Sequence, residues 1–236
     1  MPNALHNGSM PRHASTHSVN FAPLNACVLL TGFDAFDGAT LNPSWLAVET
    51  LNGESIAGHV VVAAQLPTTF EESLQELARL LQIHKPALVI CLGLAGGRQG
   101  LSLERVAINV SDARIADNAG LQPIDTPVVA GGPAAYFSTL PIKAMLQALQ
   151  QAGIASEVSQ TAGTFVCNHV FYALMHALAT KRRFKGIRGG FIHVPYLPEQ
   201  GTPCLALDDM TRGLRIAVDC ALSTSCDVTY SAGCIN

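Results

Sequence analysis

Apolar residues along this chain follow two different periods. In three short runs nearly every position is apolar: Cys27-Val28-Leu29-Leu30-Thr31, Val60 to Ala64, and Ala87 to Cys91. Runs of strand length without alternation are buried on both faces, as in a parallel sheet covered by helices. Between them the period changes to that of a helix. Asn42-Pro43 reads as a cap followed by proline at the first helical position, Ser44-Trp45-Leu46-Ala47-Val48 continues the turn, and Gly53 closes it. Phe70 to Ile83 is a second helix, with Phe70, Leu74, Leu77, Leu80 and Leu81 on one face. The order β-α-β-α-β predicts an α/β domain with a largely parallel sheet, whose ligands sit beyond the carboxyl ends of the strands.

The second half is less regular. Glu104 opens a strand-like run in which Val106, Ile108 and Val110 share a face. Residues 111–139 lack periodicity, and a stretch this long inside a domain is often functional or partner-binding. Pro141 to Ala152 is a helix with Ile142, Met145, Leu146 and Leu149 inward, stopped by Gly153. Extended Glu157-Val158-Ser159-Gln160 leads to a small-residue corner, Ala162-Gly163-Thr164, and an apolar helical run, Val170 to Met175. Gly190 to Pro195 is a short strand ending in His193-Val194-Pro195. A last helix starts near Asp208, with Met210, Leu214, Ala217 and Val218 inward. Residues 1–24, rich in Asn, His, Ser and Pro, read as a disordered extension in which Met10 is an alternative start. Residues 25–222 form the domain, and 223–236 a loose tail.

Composition narrows the function. The chain has 236 residues, 49% apolar and 13% charged, with a net charge of −3. That suits one well-buried domain and argues against nucleic acid as a partner. No run is long enough to span a membrane, and no apolar leader segment opens the chain. Seven cysteines without a CxxC pair or zinc spacing point to a reducing compartment rather than a disulfide framework. Gly93 to Gly100 is glycine-rich but lacks the order of a nucleotide-binding loop.

The candidate chemistry gathers around Cys167. It lies at or just before a helix N-terminus, where free N–H groups and the helix dipole favour a thiolate. The plainer reading is a small buried hydrophobe. His193 at a strand end and Glu104 near a strand start could supply a base and the acid that orients it. Phe33 and Phe36 flank a polar loop and either fold into the core or wall a ligand site. His59, His84, His169 and His176 read as surface or packing residues.

Two longer motifs carry a resemblance. One is Gly93…Gly96…Leu101-Ser102-x-Glu104-Arg105-Val106-Ala107-x-Asn109. The other is Val158-Ser159-x-Thr161-Ala162-Gly163-x-Phe165-Val166-Cys167-Asn168. Further blocks are Thr31-Gly32-Phe33-x-x-Phe36, Asn42-Pro43-Ser44-Trp45, Ala113-Arg114-Ile115-x-Asp117-Asn118, Gly131-Gly132-Pro133-Ala134-Ala135-Tyr136 and Phe191-Ile192-His193-x-Pro195-Tyr196. Over most of its length, from about Cys27 to about Ala217, the chain resembles the pyroglutamyl peptidase I (pyrrolidone-carboxylate peptidase) family of cysteine peptidases.

The resemblance implies a three-layer α/β/α sandwich with a mixed, largely parallel sheet, similar to the purine phosphorylase/hydrolase-like fold. It implies Cys167 as nucleophile, His193 as general base and acid, and Glu104 as the residue orienting the imidazole. It also implies a cytoplasmic homotetramer without cofactor or metal, acting on peptides that begin with pyroglutamate. Phe33, Phe36 and Phe165 would wall the lactam. Some members carry Gln where this chain has Leu94, so a side-chain hydrogen bond to the lactam is missing there. Arg114 would either bring positive charge to the site or pair with Asp112 or Asp117. A non-catalytic binder of pyroglutamyl N-termini and a nucleoside phosphorylase on the similar fold are the competing readings.

Overall fold

The structure, a computed structural model, describes residues 27–233. Residues 1–24, expected to be a disordered extension, with Met10, and also Cys234 lie outside the described residues.

The apolar runs form the centre of a seven-stranded sheet. In chain order its strands are β1 (Cys27–Phe33), β2 (Ser55–Ile56), β3 (His59–Leu66), β4 (Leu88–Leu94), β5 (Leu101–Glu104), β8 (Ser156–Ser159) and β9 (Arg188–Val194), arranged 2-3-1-4-9-5-8. Strands β3, β1, β4 and β9 run parallel, β2 pairs antiparallel with β3, and β5 pairs antiparallel with β9 and parallel with β8. The sheet is therefore mixed but parallel at its centre, as expected of strands apolar on both faces.

Helices α1 (Pro43–Glu49), α3 (Ile142–Gln151) and α5 (Leu207–Ser223) cover one face. Helices α2 (Phe70–His84) and α4 (Val166–Thr180) cover the other. Alternate residues of each strand feed opposite layers: Val28, Ile90, Leu92 and Ile192 join the first, and Leu29, Val89, Cys91 and Phe191 the second. This is the three-layer sandwich.

Local chemistry sets the helix ends. The Asn42 carbonyl oxygen Oδ1 accepts from Ser44 N–H at 3.0 Å, with Pro43 at the first helical position. Thr69 makes no side-chain cap for α2. The cap comes from far along the chain instead: Asp117 Oδ2 accepts from Phe70 N–H at 2.8 Å. Its Oδ1 accepts from Ala119 and Leu121 N–H at 2.9 and 2.8 Å. Part of the irregular stretch 111–139 is thus fastened to the sandwich, and its Ala135–Phe137 forms β7, antiparallel to β6 (Val106–Ile108).

Three expectations need correction. Glu104 closes β5 instead of opening a strand. The chain then leaves the main sheet, and in β6 Val106 and Ile108 share a half-buried face, as expected, with Ala107 buried on the other. Helix α4 starts at Val166, ahead of the apolar run at Val170, because tertiary hydrogen bonds of Asn168 hold its first turn. Finally, the segment read as a loose tail is held at its beginning. Arg188 Nη1 donates to Thr224 O at 2.6 Å, and Asp227 accepts from Lys143 and Ala144 N–H at 3.1 and 2.9 Å, capping α3. Among the described residues no helix is long and apolar enough to cross a membrane.

Candidate active site

The alternation of strand faces decides which side chains can meet. In β5, Leu101 and Leu103 enter the core under α3 and α5, so Ser102 and Glu104 point to the other side. In β9, Ile192 and Val194 do the same and His193 points opposite. In β4, Leu92 enters that core and Gly93 has its missing side chain on the α4 face. Registers then bring these positions level, since Gly93 pairs with His193 across β4–β9 and Ser102 with His193 across β5–β9.

Cys167, the second residue of α4, descends onto this spot. A Cβ at Gly93 would lie 2.6 Å from its Sγ and 3.0 Å from the Phe191 ring. Gly93 therefore serves close approach, and so does Gly100, whose Cβ would strike the Ala155 carbonyl. The glycines let the loop and the thiol pack tightly, and no phosphate cradle is needed to explain them.

Glu104 is fully buried and His193 is 3% exposed. Glu104 Oε1 accepts from His193 Nδ1 at 2.7 Å, which leaves Nε2 as the free ring nitrogen. The same oxygen accepts from Arg98 Nη1 at 2.8 Å, and Arg98 Nη2 donates to Thr161 O at 3.1 Å. Burial holds the His193 pKa below the usual histidine range, against the opposing hydrogen bond and charge of Glu104.

For Cys167 the direction departs from expectation. Burial, then the Glu104 carboxylate, push its thiol up to about 12, while the Arg98 charge and the cysteine's own backbone N–H pull down and Cys91 adds to the rise. Cys167 keeps some exposed surface, but the packing around its sulfur is dense enough that desolvation outweighs the helix terminus. Both shifts run in the same sense, favouring the neutral thiol and the neutral imidazole. The two side chains share one face of the sheet, and no hydrogen bond joins them.

The other candidates separate. Phe36 and Phe165 are half-buried with ring centroids 6.2 Å apart, and Phe165 meets Phe70 edge-on at 5.4 Å. Phe33 is sealed in the α2/α4 core at 2% exposure, which is the packing alternative. Leu94 is half-buried beside a cavity of about 440 Å³ that Phe36, Leu41 and Tyr196 also line. Arg114 is exposed and, among the described residues, forms no ion pair. The proposed pairing with Asp117 fails because backbone N–H groups occupy that carboxylate.

His169 packs edge-on to Phe70 and bonds Ser111 Oγ at 2.8 Å, and His176 bonds Tyr136 at 3.0 Å, both packing roles. Among the described residues no group of three or more His, Cys, Asp or Glu could hold a metal.

Two residues went unnoticed in the sequence. Arg98 looked like one polar residue in a glycine-rich loop, and its partner Glu104 is legible only from the fold. Buried Asn168 accepts from Ile108 N–H at 3.0 Å and donates to the Ile108 and Val110 carbonyls at 2.9 and 3.0 Å. Its place beside Cys167 in a motif was the available signal.

Comparison with known proteins agrees with this geometry. Residues 26–224 match the family described as pyroglutamyl peptidase. The chain is 58% identical over 211 residues to the pyrrolidone-carboxylate peptidase of Cupriavidus taiwanensis, covering 87% of this chain and 97% of that protein. The crystal structure of pyroglutamyl peptidase I from Bacillus amyloliquefaciens superposes with a TM-score of 0.85 at 47% identity, covering 88% of this chain and 100% of that one. The pyrrolidone carboxyl peptidase of Thermococcus litoralis gives a TM-score of 0.84 at 33% identity, covering 87% and 99%. Glutamate, histidine and cysteine gathered on one face of this sandwich, together with these matches, establish that the chain belongs to the pyroglutamyl peptidase family.

Proposed function

We infer that this protein is a pyroglutamyl peptidase I, a cysteine-type omega-peptidase that removes an N-terminal pyroglutamyl residue from peptides and proteins. The observation that carries the mechanism is the 2.7 Å bond between buried Glu104 and His193 Nδ1 on the sheet face that Cys167 caps. Glu104 fixes the ring and its tautomer, so Nε2 is the nitrogen left to exchange protons.

The Cys167 proton leaves as the bond forms. Sγ attacks the carbonyl carbon that links the lactam to the next residue, and the thiol proton passes to His193 Nε2. Among the described residues no carbonyl accepts from the N–H groups of Val166, Cys167 and Asn168, as at any helix start, and these donors suit the oxyanion. Collapse breaks the C–N bond, and His193 returns its proton to the leaving amine. Water then attacks the thioester with His193 as base. Pyroglutamate leaves and the sulfur takes its proton back. The reaction requires no metal or cofactor.

Pyroglutamate is a neutral lactam, so its site needs an apolar slot and few hydrogen bonds. The neighbouring rings of Phe36 and Phe165 fit that need, while Phe33 stays in the core. Leu94 offers shape without a hydrogen bond, so the backbone must satisfy the lactam there. Arg114, exposed and unpaired, is assigned at most a charge effect on incoming substrate. Residues 25–222 act as one catalytic domain in the cytoplasm, and the active form is a homotetramer, which sedimentation velocity tests directly.

The deciding experiment is release of a chromophoric amine from a pyroglutamyl amide by the wild type, the alkylated protein and Cys167→Ala. Turnover lost on both alkylation and substitution is expected. Substantial turnover by Cys167→Ala would remove Cys167 from its role. A folded wild type that is stabilised by pyroglutamyl peptide without cleaving it would instead be a binder.

A further inference from the structure

We propose that Arg98 is a positioning residue of this reaction, clamping the Glu104 carboxylate to the segment that delivers Cys167 and supplying the charge that tunes the site. The proposal rests on the peptidase reading of Glu104, His193 and Cys167.

The geometry is specific. Glu104 is fully buried and its Oε1 takes two donors, His193 Nδ1 at 2.7 Å and Arg98 Nη1 at 2.8 Å. None of the described residues donates to Oε2. A buried carboxylate facing only a neutral imidazole is costly, because its charge has left water without a countercharge. Arg98 is the cation that meets it, with 23% of its side chain exposed.

The second arm of the same guanidinium donates to Thr161 O at 3.1 Å. Thr161 lies in the corner between β8 and α4, just upstream of Cys167, and Ser159 Oγ also donates to that carbonyl at 3.0 Å. One planar group thus ties the loop after β4, the acid at the end of β5 and the entry to the nucleophile helix. A lysine could keep the charge but not both directed bonds.

The charge acts on the reacting pair with one sign. Around Cys167 and His193 the charged and titratable groups are Glu104, Arg98 and Cys91, and Arg98 lowers the pKa of both the thiol and the imidazole. It therefore keeps His193 in its base form to lower pH and eases thiol ionisation. Removing it moves both transitions upward. A residue that merely held the loop would lower the amount of folded enzyme without moving either transition.

The test uses the full chain with Arg98→Met and Arg98→Lys. Two profiles against pH are measured: kcat/KM on a pyroglutamyl amide, and the rate at which a neutral alkylating reagent modifies Cys167, which needs no substrate. Arg98→Met is expected to lower kcat about tenfold with little change in KM, the loss of one hydrogen bond to a charged group. Both its acid limb of kcat/KM and the rise of its alkylation rate shift up by about one pH unit. Arg98→Lys restores most of both shifts and only part of kcat. Profiles of Arg98→Met that overlay the wild type would overturn the proposal, as would equal kcat in all three proteins. If Arg98→Met fails to fold, an Arg98→Lys protein with wild-type kcat overturns it, because the second bond then has no function. A wild type that is alkylated normally but never cleaves the amide would fail the peptidase reading, and the alkylation profiles would still judge Arg98.

Discussion

At the scale of single residues, the site depends on a fully buried carboxylate that holds a nearly buried imidazole. Glu104→Gln keeps the size and one acceptor oxygen but removes the charge that stabilises the imidazolium as it forms. Folding is expected to survive, with turnover lower by on the order of a hundredfold in steady-state kinetics. Wild-type kinetics would make Glu104 a structural group. His169 offers a stability prediction of definite sign. Burial lowers its pKa from 6.5 to about 4. The unfolded chain therefore binds this proton more readily than the native state. The native contribution is complete above about pH 6.5 and is lost as pH falls from there towards 4, on the order of 3 kcal/mol. Urea unfolding of wild type and His169→Gln at neutral and acid pH checks this. The variant should lose less stability on acidification, and an equal loss would show that His169 is not the group responsible.

At the scale of elements, the start of α4 is held by a contact distant in sequence. Asn168 spends its whole side-chain amide on β6, through Ile108 and Val110. Asn168→Ala leaves those partly buried backbone groups without this partner. A loss of about 3 kcal/mol in denaturant unfolding is expected. The fall in kcat should exceed any rise in KM, because the turn that carries Cys167 loosens. Retained stability would mean that β6 finds other partners. The alternation in residues 106–110 told which side chains share a face and left open which face is inward. Once the chain leaves the main sheet at Arg105, however, its inner face is set by α4, and Ala107 is the residue small enough to lie against it.

At the scale of the whole molecule, distant parts of the chain fasten one another. Asp117 caps α2 and Asp227 caps α3, each from a stretch without regular structure of its own. Helix α3 has no acidic residue in its first turn, so Asp227 supplies the missing charge and acceptor from beyond α5. Asp227→Ala is expected to cost about 1 kcal/mol, a fall in Tm of roughly 2–4 °C by calorimetry, with kcat unchanged. An unchanged Tm would return the residues after Ser223 to a passive tail.

The sequence by itself determined the central strands, the helices that cover them and the three residues proposed for the chemistry. Hydrophobic period reports burial directly, and the motifs around Glu104, Cys167 and His193 kept their order. Only the tertiary structure decided which strand face each of those residues occupies. It also decided that Phe33 belongs to the core while Phe36 and Phe165 neighbour each other. It reversed the expected direction at Cys167, because a helix terminus favours a thiolate only where the sulfur keeps enough solvation, and close packing against Gly93 reduces it. Arg98 and Asn168 stayed hidden for a related reason. Their partners lie in other elements, and a hydrogen bond across a fold leaves no period in the chain.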